Sequence, residues 1–161
     1  MSNSQTVENL NKALQMEMSA AHQYQLHAHV LDDWGLNILA DKMREEQAEE
    51  TGHSDLFIER IMFLKGTPDI AFAKTPQRAE TLEAMFKADL EDEKDAIKFY
   101  IQAARQAHQA DDIGSRTLFE KIAMEEEGHK AWLELQLELI QRIGEKTYSA
   151  KQVSFAQDGG A

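Results

Sequence analysis

Four stretches of this 161-residue chain set apolar side chains three and four positions apart, the repeat that lines one face of an α-helix. The first seam runs Val7, Leu10, Leu14, Glu17, Ala21, Tyr24, Ala28 and Leu31, and Trp34-Gly35 marks its end. A second runs Leu36, Leu39, Met43, Glu46, Glu50, His53, Phe57, Arg60 and Leu64, with Gly66 expected as its C-terminal cap. The third comprises Leu82, Phe86, Asp89, Glu93, Ala96, Tyr100, Ala103 and Ala107. After QADDIG, where Asp112 suits the N-cap, a fourth continues through Phe119, Ile122, Glu126, His129, Leu133, Gln136, Ile140 and Ile143 to a stop at Gly144.

The spacing predicts helices over about 4–33, 36–64, 80–108 and 112–143, a short helix over about 146–155, and a disordered tail at 157–161. Both prolines, Pro68 and Pro76, fall in GTPDIAFAKTPQR between the second and third helices, and strand signals are nearly absent. The expected fold is all-α: a single domain over 1–161, forming a four-helix bundle with a long crossover between helices 2 and 3.

Each seam is apolar at its ends and broken near its middle by carboxylates, and in helices 2 and 4 a histidine follows three residues after a glutamate. An unpaired buried carboxylate costs several kcal/mol. Four of them would cost roughly as much as a whole fold is stable, unless something balances their charge. An offset of 76 residues carries Glu17 to Glu93, Glu50 to Glu126 and His53 to His129, and also Tyr24 to Tyr100 and Gly52 to Gly128. In antiparallel hairpins Glu17 and Glu50 stand at equal height, about 25 Å from their turn at roughly 1.5 Å per residue, and so do Glu93 and Glu126. A pseudo-two-fold axis then brings all six groups to one level of the core.

Residues three apart share a helix face, so Glu50 with His53 and Glu126 with His129 each offer one oxygen and one nitrogen to a cation, opposite Glu17 and Glu93. Four carboxylates and two imidazoles without sulfur suit a pair of Fe(II) or Mn(II) ions. Two Glu and two Glu-x-x-His projecting into one bundle is a recognised way of holding two metals, and the assignment applies that rule.

Composition narrows the reading. The absence of cysteine removes disulfides, zinc ribbons, iron–sulfur clusters and thiol nucleophiles. A formal net charge of −12 disfavours nucleic acid and attracts cations. The polar start MSNSQTVENL is no signal peptide and charges interrupt every apolar run, so the expectation is a cytoplasmic protein without membrane contact.

The remaining polar residues receive plainer roles. His22, His27, His29 and His108 are expected at the surface or an interface, and Glu45 and Glu49 on a solvated acidic face. Gly52 and Gly128 suggest close packing beside the metals, and Trp34 and Trp132 simple packing.

NKALQMEMSAAHQY, DDWGLNILAD, EEQAEETGH, IERIMFLKGTP, EEEGHKAWLELQLELI and the Tyr148 segment together resemble the bacterioferritins, within the ferritin-like superfamily, over nearly the whole chain. The resemblance implies that Glu17, Glu50, His53, Glu93, Glu126 and His129 are di-iron ferroxidase ligands, supported by Tyr24 and Asp89. It also implies a homo-oligomeric cage of twenty-four subunits, oxidation of Fe(II) by O2 or H2O2, ferric mineral storage, a ferredoxin-type reductant for release and, as a minor alternative to a solvated face, iron transit at Glu45 and Glu49. One position departs: the methionine by which bacterioferritins bind haem is Thr51 here. A hydroxyl is a poor axial ligand, so a cage of this chain alone is predicted to bind little or no haem b, while a mixed cage with a haem-binding subunit stays compatible. The alternatives are a shell subunit of such a mixed cage, or a di-metal peroxidase or catalase on the same bundle. A rubrerythrin-like protein would need cysteines that are absent, and DNA-protecting ferritins would not need two Glu-x-x-His pairs in one chain.

Overall fold

The computed structural model describes residues 3–155; the tail predicted at 157–161 lies outside them. Helix α1 spans Asn3–Asp33, α2 Asn37–Phe63, α3 Leu82–Gln109, α4 Ile113–Ile143 and α5 Glu145–Ala150. The pairs α1/α2 and α3/α4 are hairpins with short turns, and residues 64–81 cross from one hairpin to the other. Among the described residues there is no strand, and no helix is long and apolar enough to cross a membrane.

The predicted seams become two apolar clusters. One gathers Leu10, Leu14, Phe57, Ile61, Tyr100, Phe119 and Ile122; the other holds Tyr24, Leu31, Leu39, Met43, Phe86, Leu133 and Tyr148. Burying each large side chain stabilises the fold by about 1.5–3 kcal/mol. Phe57, Tyr100 and Phe119 form a ring triangle with centroids 5.7–6.2 Å apart. Trp34 and Trp132 pack half-buried against the second cluster, as expected. Between the clusters lies the polar layer.

Helix ends follow local chemistry. At α4 the Asp112 carboxylate accepts from the Ser115 N–H at 2.9 Å, the N-cap expected from sequence. Arg60 donates to Asp112 at 2.5 Å and to Ser115 Oγ at 2.9 Å, which ties the end of α2 to the start of α4. At the end of α2 the left-handed residue is Lys65, with φ 61°, rather than the expected Gly66. Gly66 comes one place later and donates its N–H to the Ile61 carbonyl at 2.9 Å. Its need for glycine is steric: a Cβ there would lie 2.7 Å from Val7 Cγ1.

The fifth helix stops at Ala150, five residues short of the predicted 155. Residues 152–154 bond instead to the start of α2. Gln152 O accepts from the Ile38 N–H at 3.1 Å, and Asn37 exchanges two side-chain bonds with the Ser154 backbone. These partners replace the next helical turn. Tyr148 anchors α5, buried and donating to Gln136 Oε1 at 2.8 Å.

The crossover is fastened along α1 by side chains four residues apart. Asn11 bonds Thr67 O and the Asp69 N–H, and Gln15 reaches the Asp69 carboxylate. Ser19 Oγ accepts from the Ala73 and Lys74 N–H groups, and Gln23 pairs in both directions with the Gln77 backbone.

Candidate metal centre

The six predicted residues meet in the polar layer. Glu17 comes from α1, Glu50 and His53 from α2, Glu93 from α3, Glu126 and His129 from α4, and their relative exposures run from 1% to 8%. His53 Nδ1 lies 3.2 Å from Glu17, 3.6 Å from Glu50 and 3.1 Å from Glu126. His129 Nδ1 lies 3.1 Å from Glu50, 3.6 Å from Glu93 and 3.0 Å from Glu126. Two sets of donors result, Glu17–Glu50–His53–Glu126 and Glu50–Glu93–Glu126–His129, each with its atoms within 4.8 Å of one another. Glu50 and Glu126 belong to both, the place a bridging carboxylate occupies, while Glu17 and Glu93 belong to one each.

Reciprocal phenols hold those outer two: Tyr24 on α1 donates to Glu93 at 2.5 Å, and Tyr100 on α3 donates to Glu17. Asp89, predicted to stand behind the ligands, is buried and bonds His27 at 3.1 Å.

Electrostatics follow from burial. It lifts the Glu17 and Glu93 carboxyls well above the ordinary range, reinforced by Glu50 at the first and by Glu126 at the second. Burial would lift Glu126 as well, but the adjacent His129 and His53 imidazoles, 3.0 and 3.1 Å away, prevail and hold it well below that range. For the imidazoles burial favours the neutral form; the surrounding carboxylates overcome it and hold His53 and His129 far above the usual value. The same cluster thus favours protons when no cation is bound, and metal binding would release them.

The donor set fits a metal on geometry as well. Among the described residues, the buried side-chain atoms without a hydrogen-bond partner are Glu46 Oε2, Glu50 Oε1, both Glu126 oxygens and both His129 nitrogens. Buried polar atoms are normally paired, so orphans gathered at one level have the signature of a cation site. A cavity of about 190 Å³ leads to it from beneath the crossover. Its mouth is flanked by the Lys74–Asp92 ion pair at 2.9 Å, and Glu17, Glu50, Glu93 and Glu126 line its far end.

Several plainer expectations change. His27 is 1% exposed, enclosed by Asp89 and Gln23, so it is a core residue; His22, His29 and His108 are exposed as expected. Gly52 and Gly128 pack against nothing: each is exposed, with no atom within 4 Å of where a Cβ would sit. Glu45 stays solvated, but Glu49 Oε2 lies 3.2 Å from His129 Nε2. Glu125, bonded to His53 Nε2 at 2.8 Å, was missed. The 76-residue offset relates it to Glu49 and could have found it.

Comparison with known proteins decides the family. Residues 7–143 match the ferritin-like domain family. A bacterioferritin of Brucella melitensis is 39% identical over 142 residues, covering 88% of this chain and 88% of that protein. The chain belongs to the bacterioferritin family. A Rhodobacter capsulatus bacterioferritin is 38% identical over 143 residues, 89% of each chain. The solved R. capsulatus bacterioferritin, described with a metal-free dinuclear site and a haem iron, superposes with a TM-score of 0.91 at 36% identity, covering 96% of both chains. A bacterioferritin of Mycobacterium tuberculosis also gives 0.91, at 35% identity over 94% of this chain and 95% of that one. The ferritin-like bundle, with its crossover and short C-terminal helix, is therefore shared with these relatives.

Proposed function

We propose that this protein is an iron-storage ferroxidase in which Glu17, Glu50, His53, Glu93, Glu126 and His129 bind two Fe(II) per chain. O2 or H2O2 then oxidises the bound iron to Fe(III), for storage as mineral in a cytoplasmic cage of twenty-four identical subunits. The observation that carries this reading is the sharing of Glu50 and Glu126 between two four-donor sets, with Glu50 Oε1 and both Glu126 oxygens buried and without a hydrogen-bond partner.

Each residue has a part. Glu50 and Glu126 join the two positions, while Glu17 and Glu93 complete one each and are kept in place by Tyr100 and Tyr24. Carboxylates can shift between terminal and bridging contact, so the ligand set can follow the rise in charge from ferrous to ferric. Two Fe(II) supply two electrons: O2 with two protons becomes H2O2, and H2O2 with two protons becomes two waters. The acidic cleft beneath the crossover is the route by which Fe(II) enters. A ferredoxin-type reductant would return electrons to the mineral for release.

Thr51 sits where the family's haem-binding methionine would be. Its hydroxyl donates to the Gln47 carbonyl at 2.8 Å, turned back on its own helix. A cage made only of this chain therefore binds little or no haem, and a clear Soret band in the purified homo-oligomer would overturn that. A mixed cage with a methionine-bearing subunit is the second reading, favoured by the same residue.

Anaerobic Fe(II) titration followed by air, monitored in the near ultraviolet, tests the main proposal. A rapid phase saturating at two Fe(II) per chain, absent from a Glu93→Ala, Glu126→Ala double variant, is the expected result. No rapid phase in the parent would leave a shell subunit whose partner supplies the catalysis.

A further inference from the structure

The six ligands repeat at an offset of 76 residues, but what stands behind the two histidines does not. His53 Nε2 is bonded at 2.8 Å to Glu125, whose side chain is 34% exposed. The equivalent partner of His129 is Glu49, at 3.2 Å and 46% exposed. His129 has a further neighbour with no counterpart: Glu46 Oε2 lies 2.7 Å from the same Nε2, on a side chain only 4% exposed. The offset carries Glu46 to Ile122, a fully buried apolar residue. Lys42 pairs with Glu46 and lies over the Trp132 ring, 5.4 Å from its centroid, which balances the extra charge and fixes it. Glu46 Oε2 and His129 Nε2 approach closely yet are not aligned as a hydrogen bond. Such contacts commonly tighten when a ligand binds.

We propose that Glu46 is a positioning residue that holds the proton of His129 on Nε2, leaves the Nδ1 lone pair for the metal, and makes the His129 metal position the tighter of the two. The proposal rests on the two-metal reading above. An imidazole binds a metal through Nδ1 only if its other nitrogen keeps the proton, and an acceptor for that proton fixes the ring and raises its basicity. A carboxylate withdrawn from water is the stronger acceptor, because less solvent screens it. Glu125, open to solvent, does less for His53.

Co(II) is a suitable probe, being inert to air on the timescale of a titration and coloured by its ligand geometry. The full-length assembled protein would be titrated by visible absorption and calorimetry, with the helical signal and thermal midpoint of each variant followed in parallel. The parent is expected to take up two Co(II) per chain in two resolved steps. Glu46→Gln should weaken the tighter step by about 10–100-fold and alter its visible band while leaving the other step in place. Glu46→Asp should restore part of the loss, and Glu125→Gln should weaken only the looser step. Lys42→Met provides a second approach should Glu46→Gln fail to fold, and should weaken the tighter step to a lesser extent. Two equal steps in the parent, equal weakening of both by Glu46→Gln, or no effect of either Glu46→Gln or Lys42→Met would overturn the proposal. A parent that takes up no Co(II) would instead overturn the two-metal reading itself.

Discussion

The apolar clusters and the polar layer between them are built from the same four helices, one or two turns apart, and they obey opposite rules. In the clusters volume decides: Phe57, Tyr100 and Phe119 interlock, and any apolar side chain of the right size would serve there. In the layer height decides. Glu17, Glu50, Glu93 and Glu126 answer one another only because four helices deliver them to one level, and displacing one by a turn would leave a buried charge without its partners. The clusters make the bundle stable; the layer draws on that stability to keep six ionisable groups where water cannot solvate them.

Substitutions in the two regions should therefore separate stability from metal uptake. The largest effect on stability is expected from Phe119→Ala, which empties part of the aromatic triangle and should cost about 3–5 kcal/mol in chemical denaturation, while Fe(II) stoichiometry stays unchanged. At the boundary, Tyr100→Phe removes the donor to Glu17 and leaves a buried oxygen unpaired. Denaturation should show a loss of about 1–3 kcal/mol, together with weaker binding of one Co(II).

Further from the layer, Asp112→Ala removes the α4 cap and the Arg60 contact, for about 1 kcal/mol at neutral pH. Burial alone would raise the Asp112 carboxyl, but the Ser115 and Arg60 bonds hold it below its ordinary 3.8. Its contribution is thus full above the unfolded value and fades as pH falls through the lower folded value. Parent and variant should converge in denaturation curves recorded in strong acid; a gap that persisted there would assign the effect to something other than the carboxylate. The smallest stability effect should come from Glu17→Gln with Glu93→Gln, because burial already favours the uncharged carboxyl at both positions. Without added metal the midpoint should move by less than about 1 kcal/mol, while two-metal uptake is lost.

Much of this was legible in the sequence, for identifiable reasons. The three-four seams and the 76-residue offset reflect helix geometry, so the sequence alone places Glu17, Glu50, His53, Glu93, Glu126 and His129 at one level. Groups that act across helices on the outer side of the ligands were harder to see. Glu46 lies on the seam of α2, yet nothing in periodicity says that it would meet His129 on α4. His27 reads as a surface histidine until Asp89 arrives from α3 to pair with it. Gly52 and Gly128 share the offset of the ligands, which invited a packing role that the open space around them removes.

Asn11, Gln15, Ser19 and Gln23 lie off the apolar seam of α1, and they are the pegs on which the crossover hangs. Each hairpin fixes the height of its own pair of glutamates through its short turn; this strap, running from Thr67 to Gln77, joins one pair to the other along the chain, beside the Arg60–Asp112 tie and the reciprocal tyrosines. The consequence concerns insertions and deletions more than substitutions. A residue added between the pegs would leave every helix intact and every side chain in place, yet work against the alignment of the two halves. Length variation in the crossover would show itself first as a protein that is fully folded and unable to hold its metals.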